Sequence, residues 1–575
     1  MTPTTADTKK RPISPPINDS DSKKVNIEST ESKVNHPKVR TNQPKQINKR
    51  KYKSKDVDPT SPLGVLQFEI NELLQKHNLT KEDVSNDMKL ILNDESIIPQ
   101  YHRIVTDVVV ETISSNGDGL GLINHPDSQK KLQIVIIPFG LPGDKVEIRV
   151  FKSHPLYVES DLLNIIEPNP NRDDSLIKCQ YFGKCSGCQF QNVDYNQQLI
   201  FKRQTIENAY KYFAPILTSL KSLPIINDTE PSPLQYSYRT KLTPHFNIPY
   251  KRTVEERPNL GFGSKGRPTW RKDVDIKDGS ILDIEECLIG TPIINQGMKN
   301  ERLRFETSFK NYKKGATILL REDTNVIDKD SKIDLIEESG STDDKDEISY
   351  LEVELNDDNN DKKLVKTCVT KSRQIVKEYI NGYTFEFSAG EFFQNNNSIL
   401  PRVIEYVRSN LSIDNQSSSD EEEKYLVDAY CGSGLFSITC SDNVSKVIGV
   451  EVSADSVKFA ERNATNNNIK NARFIVGKAE ELFKSIDTPS SQTSVILDPP
   501  RKGCDDVFLN QLSDYNPAKI VYISCNVHSQ ARDIDWFINK TENGHKYYVE
   551  SVKGFDFFPQ THHVESVAVL ALKKD

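Results

Sequence analysis

Four short apolar runs in the last third of the chain restrict its fold more than any other feature of the sequence. Tyr425-Leu-Val-Asp428, Val447-Ile-Gly-Val-Glu451, Ser494-Val-Ile-Leu-Asp498 and Lys519-Ile-Val-Tyr-Ile-Ser524 are free of interior charge, and each closes on a polar residue. Such runs, alternating with helical segments, read as parallel strands buried on both faces of a doubly wound α/β sheet. In open sheets of this kind the ligand crevice lies outside the carboxyl ends of the strands. The residues closing these runs, and Cys525 after the last, are therefore the first places to look for chemistry. Cysteine alone is weak evidence, because it often packs as a small hydrophobe.

The first run opens into Ala429-Tyr430-Cys431-Gly432-Ser-Gly434-Leu-Phe-Ser437. A glycine-rich turn that starts a helix lets the backbone approach a nucleoside closely. A dinucleotide fingerprint has its third glycine where this chain has Ser437, which weakens that reading. Glu451 follows 23 residues after Asp428, and its two carboxylate oxygens suit a pair of ribose hydroxyls. S-adenosylmethionine, with a ribose and no pyrophosphate, fits such a loop.

The third run ends Asp498-Pro-Pro-Arg501. It resembles the Asp-Pro-Pro-aromatic loop of amino-methyltransferases, where the ring stacks on a flipped base. Arg501 in the aromatic position argues against methylation of an exocyclic amine, so the acceptor needs another form of activation. Cys525 offers one: a thiolate adding at C6 of uracil makes C5 nucleophilic, and a base must then remove the C5 proton before the thiol is expelled. Glu565 opens a final strand in Thr561-His562-His563-Val-Glu565 and is the carboxylate for that task, with His562 and His563 as competitors. No acidic cluster has the spacing of a two-metal nuclease.

The remaining sequence divides by composition. Residues 1–61 carry 14 Lys and Arg against 7 Asp and Glu, although the whole chain has a net charge of −8. This segment, with the cluster Asn48–Lys55, reads as a disordered basic arm. Helical spacing of Leu66, Ile70, Leu73 and Leu74 predicts a helical lead-in over 62–95. Short β-rich runs between 96 and 167 fit a small closed barrel, and Gly117-Asp-Gly-Leu-Gly121 with Leu141-Pro-Gly-Asp144 resemble an OB-like TRAM domain, which implies RNA contact. A central α+β region, 168–365, holds Cys179, Cys185 and Cys188 in a C-x5-C-x2-C run, with Cys287 as a fourth thiol. In a reduced compartment such a set points to an iron–sulfur or zinc site. Tyr236–Lys241 and Gly261–Arg267 interleave aromatic and basic residues as an RNA surface does. Residues 320–365 are expected to form a disordered acidic insertion, and 366–575 the α/β domain. The sequence has no apolar run long enough for a membrane span, and a cytoplasmic or nuclear protein, with mitochondrial entry as an alternative, is expected.

Taken together, Gly390-Glu-Phe-Phe-Gln394-Asn395, the Asp428–Gly434 loop, Glu451, Asp498-Pro-Pro-Arg501, Ser524-Cys525-Asn526 and His563-Val-Glu565 resemble the RNA uracil-5 methyltransferase family over about residues 100–575. Within that family the chain resembles the eukaryotic tRNA (uracil-5-)-methyltransferases. The resemblance implies a Rossmann-like class I methyltransferase domain behind the barrel and the RNA-binding region. It implies that Gln394, Tyr430, Glu451 and Asp498 bind S-adenosylmethionine, that Cys525 is the nucleophile and that Glu565 accepts the proton. The expected substrate is the T-loop uridine, nucleotide 54, of tRNA, with no obligate protein partner. The four cysteines are similar to the [4Fe–4S] ligands of bacterial ribosomal-RNA uracil-5 methyltransferases. Two alternatives stay open at this level: the same chemistry on ribosomal RNA, and an RNA-binding folding factor with an idle methyl site.

Overall fold

A computed structural model describes residues 56–249, 254–274, 279–331, 350–354, 361–411, 423–477, 483 and 486–573, together with Tyr52. Most of the basic arm and the acidic runs 337–347 and 417–422 lie outside the described residues. Helix α1, Pro62–Lys76, starts where Ser61 caps it by accepting from the Gly64 amide, and proline at N1 loses no helical hydrogen bond. Its apolar face, led by Leu66, Ile70, Leu73 and Leu74, packs on Leu120 and Ile134 of the following barrel.

The barrel consists of β1 (Ile104–Ile113), β2 (Gly119–Asn124), β3 (Leu132–Ile137), β4 (Lys145–Ser153) and β5 (Tyr157–Glu167), closed in the order β1-β2-β3-β5-β4. Alternate burial along β4 is the period-2 pattern of a strand with one inward face. Closure leaves the barrel without a free edge.

Helix α2, Tyr195–Phe213, follows the cysteine run. One face of it is buried along its whole length: Gln198 and Lys202 near its start, then Ile206, Ala209, Tyr210 and Phe213. After it, β6 (Asn227–Glu230) leaves the front half and joins the large sheet of the last domain. That sheet contains β7 (Tyr425–Ala429), β8 (Lys446–Glu451), β9 (Ala472–Val476), β10 (Thr493–Leu497), β11 (Lys519–Ser524), β12 (Tyr547–Phe555) and β13 (Glu565–Leu572). Their order is β9-β8-β7-β10-β11-β13-β12-β6. The strands β9, β8, β7, β10 and β11 are parallel, and β13 is inserted antiparallel beside β11. Successive residues of β10 and β11 alternate between two apolar clusters, with Val495 and Ile520 in one and Ile496 and Val521 in the other. Both faces of the sheet are therefore covered, as the uncharged runs required.

The central region differs from expectation at the boundary drawn at residue 320. Leu320–Asp328, Tyr350–Glu354 and Lys362–Val369 are strands of one sheet, so ordered β structure flanks the acidic runs on both sides. Arg321 and Glu322 are buried in that sheet, and their charges masked its pattern. Among the described residues no helix is long and apolar enough to cross a membrane.

The two halves are joined by a buried ion pair. Lys202 Nζ stands 2.5 Å from Asp556 Oδ1, and both side chains are fully enclosed. Tyr195 donates to Asp556 Oδ2 at 2.9 Å, and Lys202 also donates to the Phe558 carbonyl at 3.0 Å. Replacing Lys202 by Met leaves the Asp556 carboxylate buried without its cation, which should cost about 3–5 kcal/mol of stability. Denaturant unfolding measures this, and a loss below about 1 kcal/mol would contradict the role given to the pair.

Candidate active site

The carboxyl ends of the parallel strands open into one cavity of about 840 Å³. Its lining includes Gln394, Asp428, Tyr430, Glu451, Asp498, Arg501, Cys525 and Glu565. Each of the sequence-derived donor-binding, nucleophile and base candidates thus faces a single space.

Strand direction explains how Cys525 and Glu565 meet. Cys525 follows the last residue of β11, whereas Glu565 is the first residue of β13. Because these neighbours are antiparallel, with Ser524 opposite Ser566, the end of one strand and the start of the other share an edge. The chain turns sharply after Cys525: Asn526 caps the helix Val527–Lys540, and its side chain donates to the carbonyls of Arg501 at 2.9 Å and Thr60 at 3.2 Å. The thiol is half-buried and the Glu565 carboxyl is buried. Asp498 is delivered by the end of β10, where Pro499 and Pro500 have no N–H to extend the ladder.

The glycine-rich loop after β7 is built from backbone in uncommon conformations. Tyr430, Gly432 and Gly434 have φ of 64°, 54° and 92°. Glycine adopts such angles at little cost, and the non-glycine Tyr430 is the strained member. Both oxygens of Glu451 are engaged, Oε2 accepting from the Gly432 amide at 3.2 Å and Oε1 from the Ser453 amide at 2.9 Å. At the opposite wall Phe393 stacks on Phe387 with centroids 4.4 Å apart, and Asn396 donates to the Phe557 carbonyl at 3.0 Å. These contacts fix Gln394 between them. Phe392, beside it, is 74% exposed at the cavity mouth.

Six acidic side chains line the cavity, and three of them, Asp428, Asp498 and Glu565, are strongly perturbed. Burial pushes Glu565 up to about 8, with Asp498 adding to the shift and Arg501 opposing it. Burial likewise holds Asp498 and Asp428 up at about 7, with Asp428 raising the first and Glu451 the second. Asp428 Oδ2 accepts from Ser437 at 2.5 Å, while its Oδ1 is enclosed without a hydrogen-bond partner. Burial raises the Cys525 thiol to about 12; Glu565 and Asp498 add to this, and Arg501 counters by charge and hydrogen bonding. Sequence reasoning did not assign a site role to Asp428, to Arg501 beside the thiol, or to Phe392, although all three lie in motifs it had noted.

The proposed RNA face is only partly available. Tyr238 is buried and donates to the Pro559 carbonyl at 3.0 Å, and Lys265 is paired with Asp118 at 2.9 Å. Lys178 lies over the Tyr236 ring and Arg239 over Phe558. Tyr238 is thus a structural joint, a role that its spacing in the sequence cannot reveal. Burial raises the thiols of Cys179, Cys185, Cys188 and Cys287, and the last three are raised further by others of the set, Cys287 to about 11. Among the described residues no group of three or more His, Cys, Asp or Glu side chains stands as ligands of a metal ion.

The family described as tRNA (Uracil-5-)-methyltransferase matches residues 337–574, and TRAM domain matches 99–163. The chain is 60% identical to the tRNA (uracil(54)-C(5))-methyltransferase of Saccharomyces cerevisiae, over 92% of this chain and 84% of that protein. It is 41% identical to the Schizosaccharomyces pombe protein of the same name, over 92% and 86%. Among solved structures it is similar to Pyrococcus abyssi tRNA (uracil-54, C5)-methyltransferase in complex with S-adenosyl-L-homocysteine, with a TM-score of 0.52 and 22% identity, over 80% of this chain and 99% of that one.

The raised carboxyls have a consequence for stability. Carboxyls in the unfolded chain titrate near about 4, so between that value and about 8 the folded protein holds more protons, and these groups lose stability as pH rises. His528 and His563, held down at about 4 by burial, act in the opposite sense below about 6.5. The ligand-free protein should therefore lose stability from about pH 6.5 to 8, and Asp498→Asn should flatten the decline by up to about 1.4 kcal/mol per pH unit. Unfolding curves across that range test it; equal slopes for the two proteins would refute the burial of Asp498.

Proposed function

Because the chain belongs to the tRNA (uracil-5-)-methyltransferase family, we propose that it transfers a methyl group from S-adenosylmethionine to C5 of uridine 54 in tRNA. The observation that carries this reading is the meeting of Cys525 and Glu565 in one cavity with Gln394, Tyr430, Glu451 and Asp498. The residues present suit the donor. An added Cβ on Gly432 would meet nothing within 4 Å, so the loop leaves an open cradle, and the enclosed Asp428 Oδ1 is without a partner. The carboxylate-rich lining favours a cation, and the donor, when bound, supplies an electrophilic methyl group on a positive sulfonium.

The chain's own residues divide the remaining work. Glu451 orients the ribose, although its oxygens already hold the loop, and Gln394 and Asp498 border the reacting end. Arg501 reduces the cost of a thiolate at Cys525, which burial otherwise keeps as a thiol. The Cys525 sulfur bonds to C6 of the uracil, and C5 then carries the charge that attacks the methyl group. Glu565, a carboxylate held up to about 8, has the basicity to take the C5 proton near neutral pH. As it does so, the C6–S bond breaks and the thiolate returns. A uridine that has left its stack can reach the thiol, and an open loop reduces that cost of a few kcal/mol.

Cys179, Cys185, Cys188 and Cys287, buried and electrostatically coupled, are proposed as the residues that would hold a [4Fe–4S] cluster. Iron and sulfide analysis of anaerobically purified protein should find about four of each per chain; metal-free, fully active protein would remove the cluster from the account.

With 5-fluorouridine RNA, whose C5 has no proton to give up, the protein should form a stable adduct at Cys525, and Cys525→Ala should form none. Glu565→Gln should stall as the methylated adduct with product release slowed about 100-fold or more. Denaturing gels and mass mapping read both. An adduct in the alanine variant, or normal release by the glutamine variant, would sink the respective role.

A further inference from the structure

We propose that Gln189, Gln198 and Gln560 are positioning residues for Glu565, so that the segment following the cysteine run controls proton removal and release of the RNA. The proposal rests on the reading of Glu565 as the base.

Glu565 is reached through the connection from β12 to β13, and Gln560 sits in its middle with φ of 72°. A glutamine in that region is strained and persists only where its surroundings over-determine it. Here they do. The Gln560 carbonyl accepts from the Gln189 and Phe190 amides, both at 3.0 Å. Its N–H donates to Gln198 Oε1 at 3.1 Å, and Gln198 Nε2 donates back to Gln560 Oε1 at 3.2 Å. Two residues later the His562 N–H donates to Gln189 Oε1 at 3.2 Å, with His562 Nδ1 at 3.1 Å from the same oxygen.

All three glutamines are more than nine-tenths buried. An apolar contact would stabilise such a place at less desolvation cost, so three buried amides spent on one turn fix its geometry more than they add stability. Gln189 directly follows Cys188, and only His563 and Val564 separate His562 from Glu565. A shift of the turn is thus passed to the carboxyl, and a displacement of about 1 Å at a reacting group can slow its step about 100-fold. Formation of the C6–S bond and methyl transfer to C5 need Cys525 and the donor. Passage of the C5 proton to Glu565, with return of the C6–S electron pair to sulfur, needs the turn.

The full-length protein is assayed in single turnover with a T-arm RNA. Gln189→Ala should accumulate the methylated adduct, with release slowed about tenfold or more, while its rate of trapping 5-fluorouridine RNA stays within about twofold of the parent. Gln189→Glu keeps the acceptor oxygen and should restore release. Gln560→Gly retains the turn without its strain and keeps the backbone bond to Gln198 Oε1, loses only the bond from Gln198 Nε2, and should show a smaller stall. Normal release by Gln189→Ala, loss of trapping in parallel with release, or no rescue by Gln189→Glu would overturn the positioning role. Glu565→Gln run beside them separates the two readings: if it releases product normally while Gln189→Ala stalls, the base assignment falls and control by the turn stands.

Discussion

The pairing of Lys202 with Asp556 is the contact on which the relation between the two halves depends. Neither charge has access to water, and burial lowers the affinity of Lys202 for its proton even as Asp556 raises it. An ion pair in such a place is a poor source of net stability, because desolvation consumes most of the attraction. Its value lies in being unforgiving: the lysine has one acceptable partner, and the Asp556 carboxylate is completed by Tyr195 and by the Phe558 amide. Helix α2 is therefore held in one register against the connection that leads to Glu565. An apolar patch of similar size would tolerate a slide that the ion pair does not.

Within the cavity the same low dielectric acts on chemistry. Asp428, Asp498 and Glu565 are each pushed toward the neutral acid by burial and by one another. The site is a set of carboxyls whose charged forms a cation would favour. A positively charged donor relieves that condition and, by the same interaction, moves Asp428 and Asp498 toward carboxylates. Glu565 differs in having Arg501 nearby, which favours both its charged form and the Cys525 thiolate. One exposed arginine thus offsets burial for the Cys525 thiolate and the Glu565 carboxylate together, which an aromatic ring at this motif position would not do.

The readable parts of the sequence were those in which burial is symmetric or local. Strands β7, β8, β10 and β11 appear as uncharged runs because helices cover both faces, and their terminal residues were placed at the crevice by direction alone. The barrel was visible from its alternation and its turns. The central strands were not, since Arg321 and Glu322 are buried charges in Leu320–Asp328, and a run of that composition reads as solvated. The joints were illegible for a related reason. Gln198 and Lys202 look like the wet face of a helix, and nothing within α2 reveals that residues more than 350 positions later enclose them. The pairing of Cys525 with Glu565 was half legible: each could be placed at a strand terminus, but only the antiparallel insertion of β13 puts an end and a start on one edge.

That insertion leaves Glu565, the proposed base, in an unusual mechanical position. Residues at the ends of parallel strands are fixed by the sheet behind them, whereas Glu565 is preceded by a connection with no helix of its own. The support it lacks is supplied from outside the α/β domain, by α2 through Gln198 and Lys202, by the cysteine segment through Gln189, and by the barrel. Gly117, between β1 and β2, comes so close that an added Cβ would lie 2.9 Å from His562 Cβ. Glu69 of α1 anchors that barrel loop in turn, accepting from the Ser115 amide at 2.6 Å and its hydroxyl at 2.7 Å. Cys525, Glu451 and Asp498 are thus placed by the ends of one sheet, while Glu565, the proposed base, is also held by the segments in front of it. On the mechanism proposed above, bond formation to the uracil draws on the sheet edge and the donor cavity, whereas completion of the reaction also requires the front half in register.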